Sequence, residues 1–140
     1  MKNSISPNKI KNQLNFCHSY WVIIYGSYLK EEFISGRSDI DIAIITRTKD
    51  KLKNLDLWRS LLVKVPKNYD LRIFELLPLH VQIDIIQNYL VLFGDTLEIS
   101  EYFYQYRNIW KEMINRIKSN QFQNIQEKLN LIEHRKKVIG

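Results

Sequence analysis

Cysteine is almost absent from this chain, Cys17 being the only one in 140 residues. A single thiol closes no internal disulfide, so the fold has no covalent staple and export to an oxidising compartment is not indicated. Glycine numbers four and proline three, too few for a collagen-like or low-complexity chain. No apolar run approaches the roughly 18 residues of a membrane span. Residues 1–11 also lack the apolar centre of a signal peptide. The expectation is a cytoplasmic protein with no membrane segment. Neither a Gly-x-x-x-x-Gly-Lys-Ser/Thr loop nor a Gly-x-Gly-x-x-Gly run occurs, which excludes a P-loop and a Rossmann phosphate site. Cys17-His18 looks like half of a zinc site, but no second cysteine exists and His80 and His134 are isolated, so the pair reads as packing or surface.

What is present suits a single core. The chain is 45% hydrophobic and 26% charged, long enough for one domain and too short for two. Its net charge of +6 is uneven: residues 1–38 carry +3, residues 39–100 carry −1 and residues 101–140 carry +4. Basic ends can attract nucleotides or RNA, or simply solvate the surface, and nucleic-acid binding stays open on charge alone.

The informative centre begins at Trp21-Val-Ile-Ile-Tyr25, an apolar run expected of a strand buried on both faces, ended by Gly26-Ser27 where glycine permits a sharp turn. A short helix is expected over Tyr28–Ile34, with its first free amides at Ser27 and Tyr28, and such a helix start binds phosphate. After the turn Ser35-Gly-Arg-Ser38, Asp39-Ile-Asp-Ile-Ala-Ile-Ile45 reads as a second strand. Side chains alternate along a strand, so Asp39 and Asp41 share one face. Two close carboxylates repel unless a cation neutralises them, and magnesium prefers such oxygen ligands. The alternative is a solvated strand end with Ser27 as a plain helix cap, against which stands the poor strand propensity of aspartates among isoleucines.

Gly26-Ser27 and Asp39-Ile40-Asp41 at this spacing resemble the nucleotidyltransferase superfamily that includes DNA polymerase beta. Within it, the chain is similar to the minimal nucleotidyltransferases, or MNT proteins, loosely through about residue 95. The resemblance implies a third carboxylate on a later strand, and Asp70 in Tyr69-Asp-Leu-Arg-Ile-Phe74 is the candidate; Glu75 is the weaker choice because it points to the opposite face of a regular strand. It implies an α/β (α+β) fold with a small mixed sheet flanked by helices. The activity implied is transfer of AMP from ATP to an acceptor hydroxyl, with Asp39, Asp41 and Asp70 as catalytic ligands of two Mg2+ ions and Gly26 and Ser27 on the β- and γ-phosphates. Arg37, in the turn before Asp39, is a secondary phosphate candidate. Arg72 shares a strand face with Asp70 and could pair with it. MNT proteins resemble antitoxins that silence HEPN toxins, so a HEPN-type protein partner is expected. The rival reading is a non-catalytic module that neutralises a partner by contact.

The remaining pattern predicts helices over Pro7–Cys17, Asp50–Val63 (apolar stripe Leu52, Leu55, Trp58, Leu62) and Pro78 to about Gln87, with strands over Tyr69–Leu76 and Tyr89–Phe93. Phe103, Tyr106, Trp110, Met113 and Ile117 mark a helix starting near Ser100 that covers the sheet. A break at Ser119-Asn120 separates it from a second helix with Phe122, Ile125, Leu129 and Ile132, poised between self-packing and a partner surface. The expected division is a nucleotidyltransferase core over residues 1–98 and a helical extension over 99–140. The apolar stripes make a homodimer possible.

Overall fold

The computed structural model describes residues 5–30 and 38–139, with side chains through residue 134. Two compact units divide the chain, Met1–Tyr104 and Gln105–Gly140.

Within the first unit, four strands form one sheet in the order β3-β2-β1-β4. They are β1 (Trp21–Tyr25), β2 (Ile40–Ile45), β3 (Tyr69–Ile73) and β4 (Tyr89–Phe93). β1 runs antiparallel to β2 and β4, and β2 runs parallel to β3. This is the expected mixed sheet.

Alternation divides its residues between two faces. On the first face Val22, Ile24, Ile40, Ile42, Ile44, Leu71 and Ile73 are buried in one cluster with Ile10, Leu14 and Cys17 from the N-terminal segment and Leu61. Helix α1 (Pro7–Gln13) opens with the Ser6 hydroxyl accepting from the Lys9 amide, and ends earlier than expected in a 3-10 turn over Asn15–Cys17. The Cys17 thiol donates to the Leu14 carbonyl at 3.0 Å and the His18 ring pairs with the Asn15 carbonyl at 2.8 Å, so both are occupied in closing this turn.

Helix α2 (Lys51–Leu62) starts at Asp50, whose carboxylate accepts from the Lys53 amide. Its rotation differs from the expected stripe. Leu52 and Leu62 are exposed, while Leu61 and Asn54 are buried and Leu57 and Trp58 pack on the core. Polar contacts fix this phase. The Trp58 indole donates to the Leu71 carbonyl at 2.7 Å, and Asn54 bonds Thr46 and Thr48.

The second face carries buried Ile23, Ala43 and Ile45. β3 stops at Ile73 rather than Leu76, and a 3-10 turn over Phe74–Leu76 sends the chain into α3 (Leu79–Gln87). Helix α4 (Thr96–Ile139) begins at Asp95, whose carboxylate accepts from the Glu98 amide at 3.0 Å. Its Phe103 is fully buried, 4.9 Å from the ring of Phe74 and 5.1 Å from that of Tyr89.

The expected pair of C-terminal helices is one helix of 44 residues, starting at Thr96 rather than near Ser100. Serine and asparagine each cost only a few tenths of a kcal/mol inside a helix, so Ser119-Asn120 without glycine or proline does not break it. Cover of the sheet holds for Ile99 and Phe103. In the second unit, Met113, Ile117, Phe122, Ile125, Leu129 and Ile132 are exposed. Among the described residues, no helix is long and apolar enough to cross a membrane.

Candidate active site

At one end of the sheet the strand registers align four polar or aromatic residues in a row. Asp70 pairs with Asp41, Asp41 with Tyr25, and Tyr25 with Tyr89. Directly paired residues point to the same face, so two carboxylates and two phenols lie side by side across β3, β2, β1 and β4. Asp39 lies just before β2, exposed, and acts electrostatically on Asp41. The fold thus sets Asp70 beside Asp41 and brings Asp39 near enough to act on its charge.

Gly26 turns the chain immediately beyond β1 with φ +74, a left-handed conformation that a side chain disfavours. The closeness of Asp41 reinforces the requirement. A Cβ at position 26 would overlap Asp41 Oδ2 and lie 3.2 Å from its Cγ. The turn continues as a single 3-10 element over Gly26–Leu29, and Lys30 is already extended. This 3-10 element starts two residues before the helix expected over Tyr28–Ile34, and positions 31–34 of that expectation lie outside the described residues. The Tyr28 hydroxyl donates to the Ile5 carbonyl, tying the turn to the N-terminal segment. Residues 31–37, including Arg37, lie outside the described residues.

The Ser27 amide donates to the Asp41 carboxylate, so the turn and the acid are already joined. Burial, then the charges of Asp70 and Asp39, raise the Asp41 carboxyl above its ordinary value, opposed by the Ser27 amide and Arg72. Burial likewise pushes Tyr25 up to about 12, helped by Asp41 and Asp70. Its phenol therefore stays protonated. Arg72 Nε donates to Asp70 Oδ1 at 3.0 Å, with 48% and 38% of the two side chains exposed. Such an exposed pair is weak and readily exchanged.

A half-buried carboxylate repelled by two others is short of positive charge, and an all-oxygen donor set of this kind suits Mg2+. Among the described residues no three acidic, histidine or cysteine side chains stand already converged as a ligand set. Arg72 holds Asp70, and the mutual repulsion of the three carboxylates opposes closer approach.

Comparison with known proteins agrees with this geometry. Residues 8–98 match the family described as "Polymerase beta, Nucleotidyltransferase". A Methanocaldococcus jannaschii protein named as a protein adenylyltransferase is 42% identical over 112 residues, covering 80% of this chain and 86% of the relative. The chain belongs to the polymerase beta nucleotidyltransferase family. Its fold is shared with a toxin-antitoxin structure containing AMP-PNP (19% identity, TM-score 0.58, 78% of this chain and 90% of the other). It is shared too with a tri-AMPylated Shewanella oneidensis HEPN toxin in complex with MNT antitoxin (19%, TM-score 0.52, 76% and 85%).

As a member of this nucleotidyltransferase family, the chain also carries residues that sequence reasoning did not assign. Tyr25 faces the acids; its position directly before Gly26 at the end of a strand was the available signal. Glu75, the weaker acid candidate, lies elsewhere. Its carboxylate accepts from the Thr46 and Arg47 amides, both at 3.0 Å, and from the Tyr102 hydroxyl at 2.8 Å. That cluster holds the left-handed Arg47 (φ 62), whose guanidinium lies 4.1 Å over the Trp21 ring. Glu75 thus secures the turn after β2, at the far end of that strand from Asp41.

Proposed function

We propose that the chain is a magnesium-dependent protein adenylyltransferase that moves AMP from ATP to a hydroxyl of a HEPN-type toxin, acting as its antitoxin. The single observation that carries the reading is the row Asp70–Asp41 with the Gly26-Ser27 turn bonded to Asp41. The related protein adenylyltransferase and the fold shared with AMPylated toxin complexes support the choice of acceptor.

Asp39, Asp41 and Asp70 would hold Mg2+, which when bound supplies charge neutralisation along the triphosphate. Gly26 and Ser27 position the β- and γ-phosphates, and Arg37 is a further phosphate contact in this reading. Asp70 stands beside the acceptor and takes its proton as the hydroxyl oxygen attacks the α-phosphorus. One phosphorus–oxygen bond forms, the bond to the β-phosphate oxygen breaks, and pyrophosphate leaves. The protein's contribution is orientation and electrostatic complementarity. Residues 1–98 constitute the transferase core in this reading, and residues 99–140 the extension. Its exposed apolar stripe brings in the toxin or a second copy of the chain. A requirement for ATP is met in the cytoplasm.

Transfer of label from α-labelled ATP into the partner protein, with Mg2+ and beside Asp41→Asn, tests the proposal. A labelled protein lost in the variant supports it; wild-type label found in RNA alone overturns it. Retained partner binding with no label from folded wild type would favour neutralisation by contact.

A further inference from the structure

On the same side of the sheet as Asp41, a cavity of about 440 Å³ opens between the end of β1 and helix α3. This is within the roughly 300–1,000 Å³ typical of small-molecule sites. Its walls include Tyr25, Val81 and buried Ile85, which offer an aromatic ring and branched aliphatic surface. At its mouth stand Gly26 of the phosphate turn and the exposed Lys30. Around the rim, Asp84, Gln87 and Asn88 come from the last turn and cap of α3. Among the described residues, neither the Gln87 nor the Asn88 carboxamide has a hydrogen-bond partner. The lining therefore joins a cation, two carboxamides and one carboxylate at exposed positions to a half-buried ring and branched aliphatic surface. A nucleotide joins charged phosphates and a polar ribose to a flat base in the same way.

We infer that this cavity seats the nucleoside of the donor nucleotide, with the Gln87 and Asn88 carboxamides selecting adenine and Asp84 accepting from the ribose hydroxyls. The inference rests on the nucleotidyltransferase reading and adds what that reading lacks, the origin of base selectivity. A carboxamide donates to adenine N7 while accepting from N6, whereas guanine presents two acceptors on that edge. A carboxylate on a ribose hydroxyl is the device used at other nucleotide sites. Tyr25 supplies a face for the base, which links the cavity directly to the row that contains Asp41.

The test is equilibrium binding of ATP, GTP and inorganic tripolyphosphate to the full chain with Mg2+. Wild type should bind ATP more tightly than both GTP and tripolyphosphate. Val81→Trp fills the cavity and should weaken ATP at least about tenfold, the scale of a lost apolar and polar base site, while tripolyphosphate binding is unchanged and confirms a folded phosphate turn. Combined Gln87→Leu and Asn88→Leu, both exposed in the fold, should lower ATP affinity by about tenfold and abolish the preference over GTP. Unchanged ATP binding in Val81→Trp overturns the inference, as does a wild type that does not distinguish ATP from GTP. If Val81→Trp binds ATP normally but loses transfer, the cavity serves the acceptor and the inference is again overturned. Tripolyphosphate bound as tightly as ATP removes the nucleoside site but leaves the phosphate site standing, whereas a wild type that binds neither removes both.

Discussion

Replacing Gly26 by alanine should damage the site more than the fold. Two costs add at this position. A left-handed residue with a Cβ costs about 1–2 kcal/mol, and φ at Gly26 is +74. The new methyl would also overlap Asp41 Oδ2, so the carboxylate must swing away and give up its bond from the Ser27 amide. A hydrogen bond to a charged group contributes about 1.5–3 kcal/mol, part of which water restores at a half-exposed carboxylate. A total near 2–3 kcal/mol follows, which for a domain of this size lowers Tm by roughly 6–12 °C. The displaced carboxylate matters more for transfer, since misplacing a reacting group by an ångström costs about 10²-fold. Thermal unfolding followed by circular dichroism, with AMP transfer assayed well below the variant's Tm, separates the two effects. Gly94→Ala provides the contrast. There φ is +121 and a Cβ would lie 2.6 Å from Trp21 Cδ1, so stability should fall while transfer below Tm is retained. A Gly26→Ala protein as active as wild type would refute the proposed coupling of turn and acid.

Other outcomes follow from the same geometry. Asp41 has a folded pKa above its unfolded 3.8, so its contribution to stability is present below that pH and lost as pH rises through the raised value. At pH 7 without metal, Asp41→Asn should therefore be more stable than wild type by thermal unfolding, with the difference shrinking in acid; added Mg2+ should stabilise wild type more than the variant. Glu75→Gln leaves one acceptor oxygen where two served Thr46, Arg47 and Tyr102. It should lose about 1–3 kcal/mol in urea unfolding with little change in transfer rate. Cys17 is buried, and burial pushes its thiol up to about 11, so it should resist a thiol reagent in the folded protein and react rapidly in denaturant.

The strands and the acids were legible in the sequence because each rests on local pattern. An apolar run stopped by Gly26 marked β1, and alternation around Ile40 marked β2. Asp70 was pointed to by the family resemblance, whereas the register that puts it beside Asp41 depends on β2 and β3 pairing in parallel and had no local signal. Misread features depended on tertiary context. Leu52 and Leu62 have helical spacing, but the Trp58 indole bond and the buried Asn54 amide set the rotation of α2. Ser119-Asn120 resembles a break, and the apolar stripe does change face there, five residues separating Ile117 from Phe122, but with no glycine or proline at that point the helix runs on. β3 gave no warning that it would turn at Phe74 and send Glu75 to the Thr46 turn. The cavity wall on α3 had no sequence signal, because Val81 and Asn88 meet Tyr25 only through folding.

Intact mass spectrometry of a co-expressed HEPN-type partner, with wild type and with Asp41→Asn, tests the adenylyltransferase reading most directly. A mass increase of one or more AMP groups on a tyrosine, present with wild type and absent with the variant, is the expected result. An unmodified partner that is nevertheless silenced equally by both proteins would contradict it.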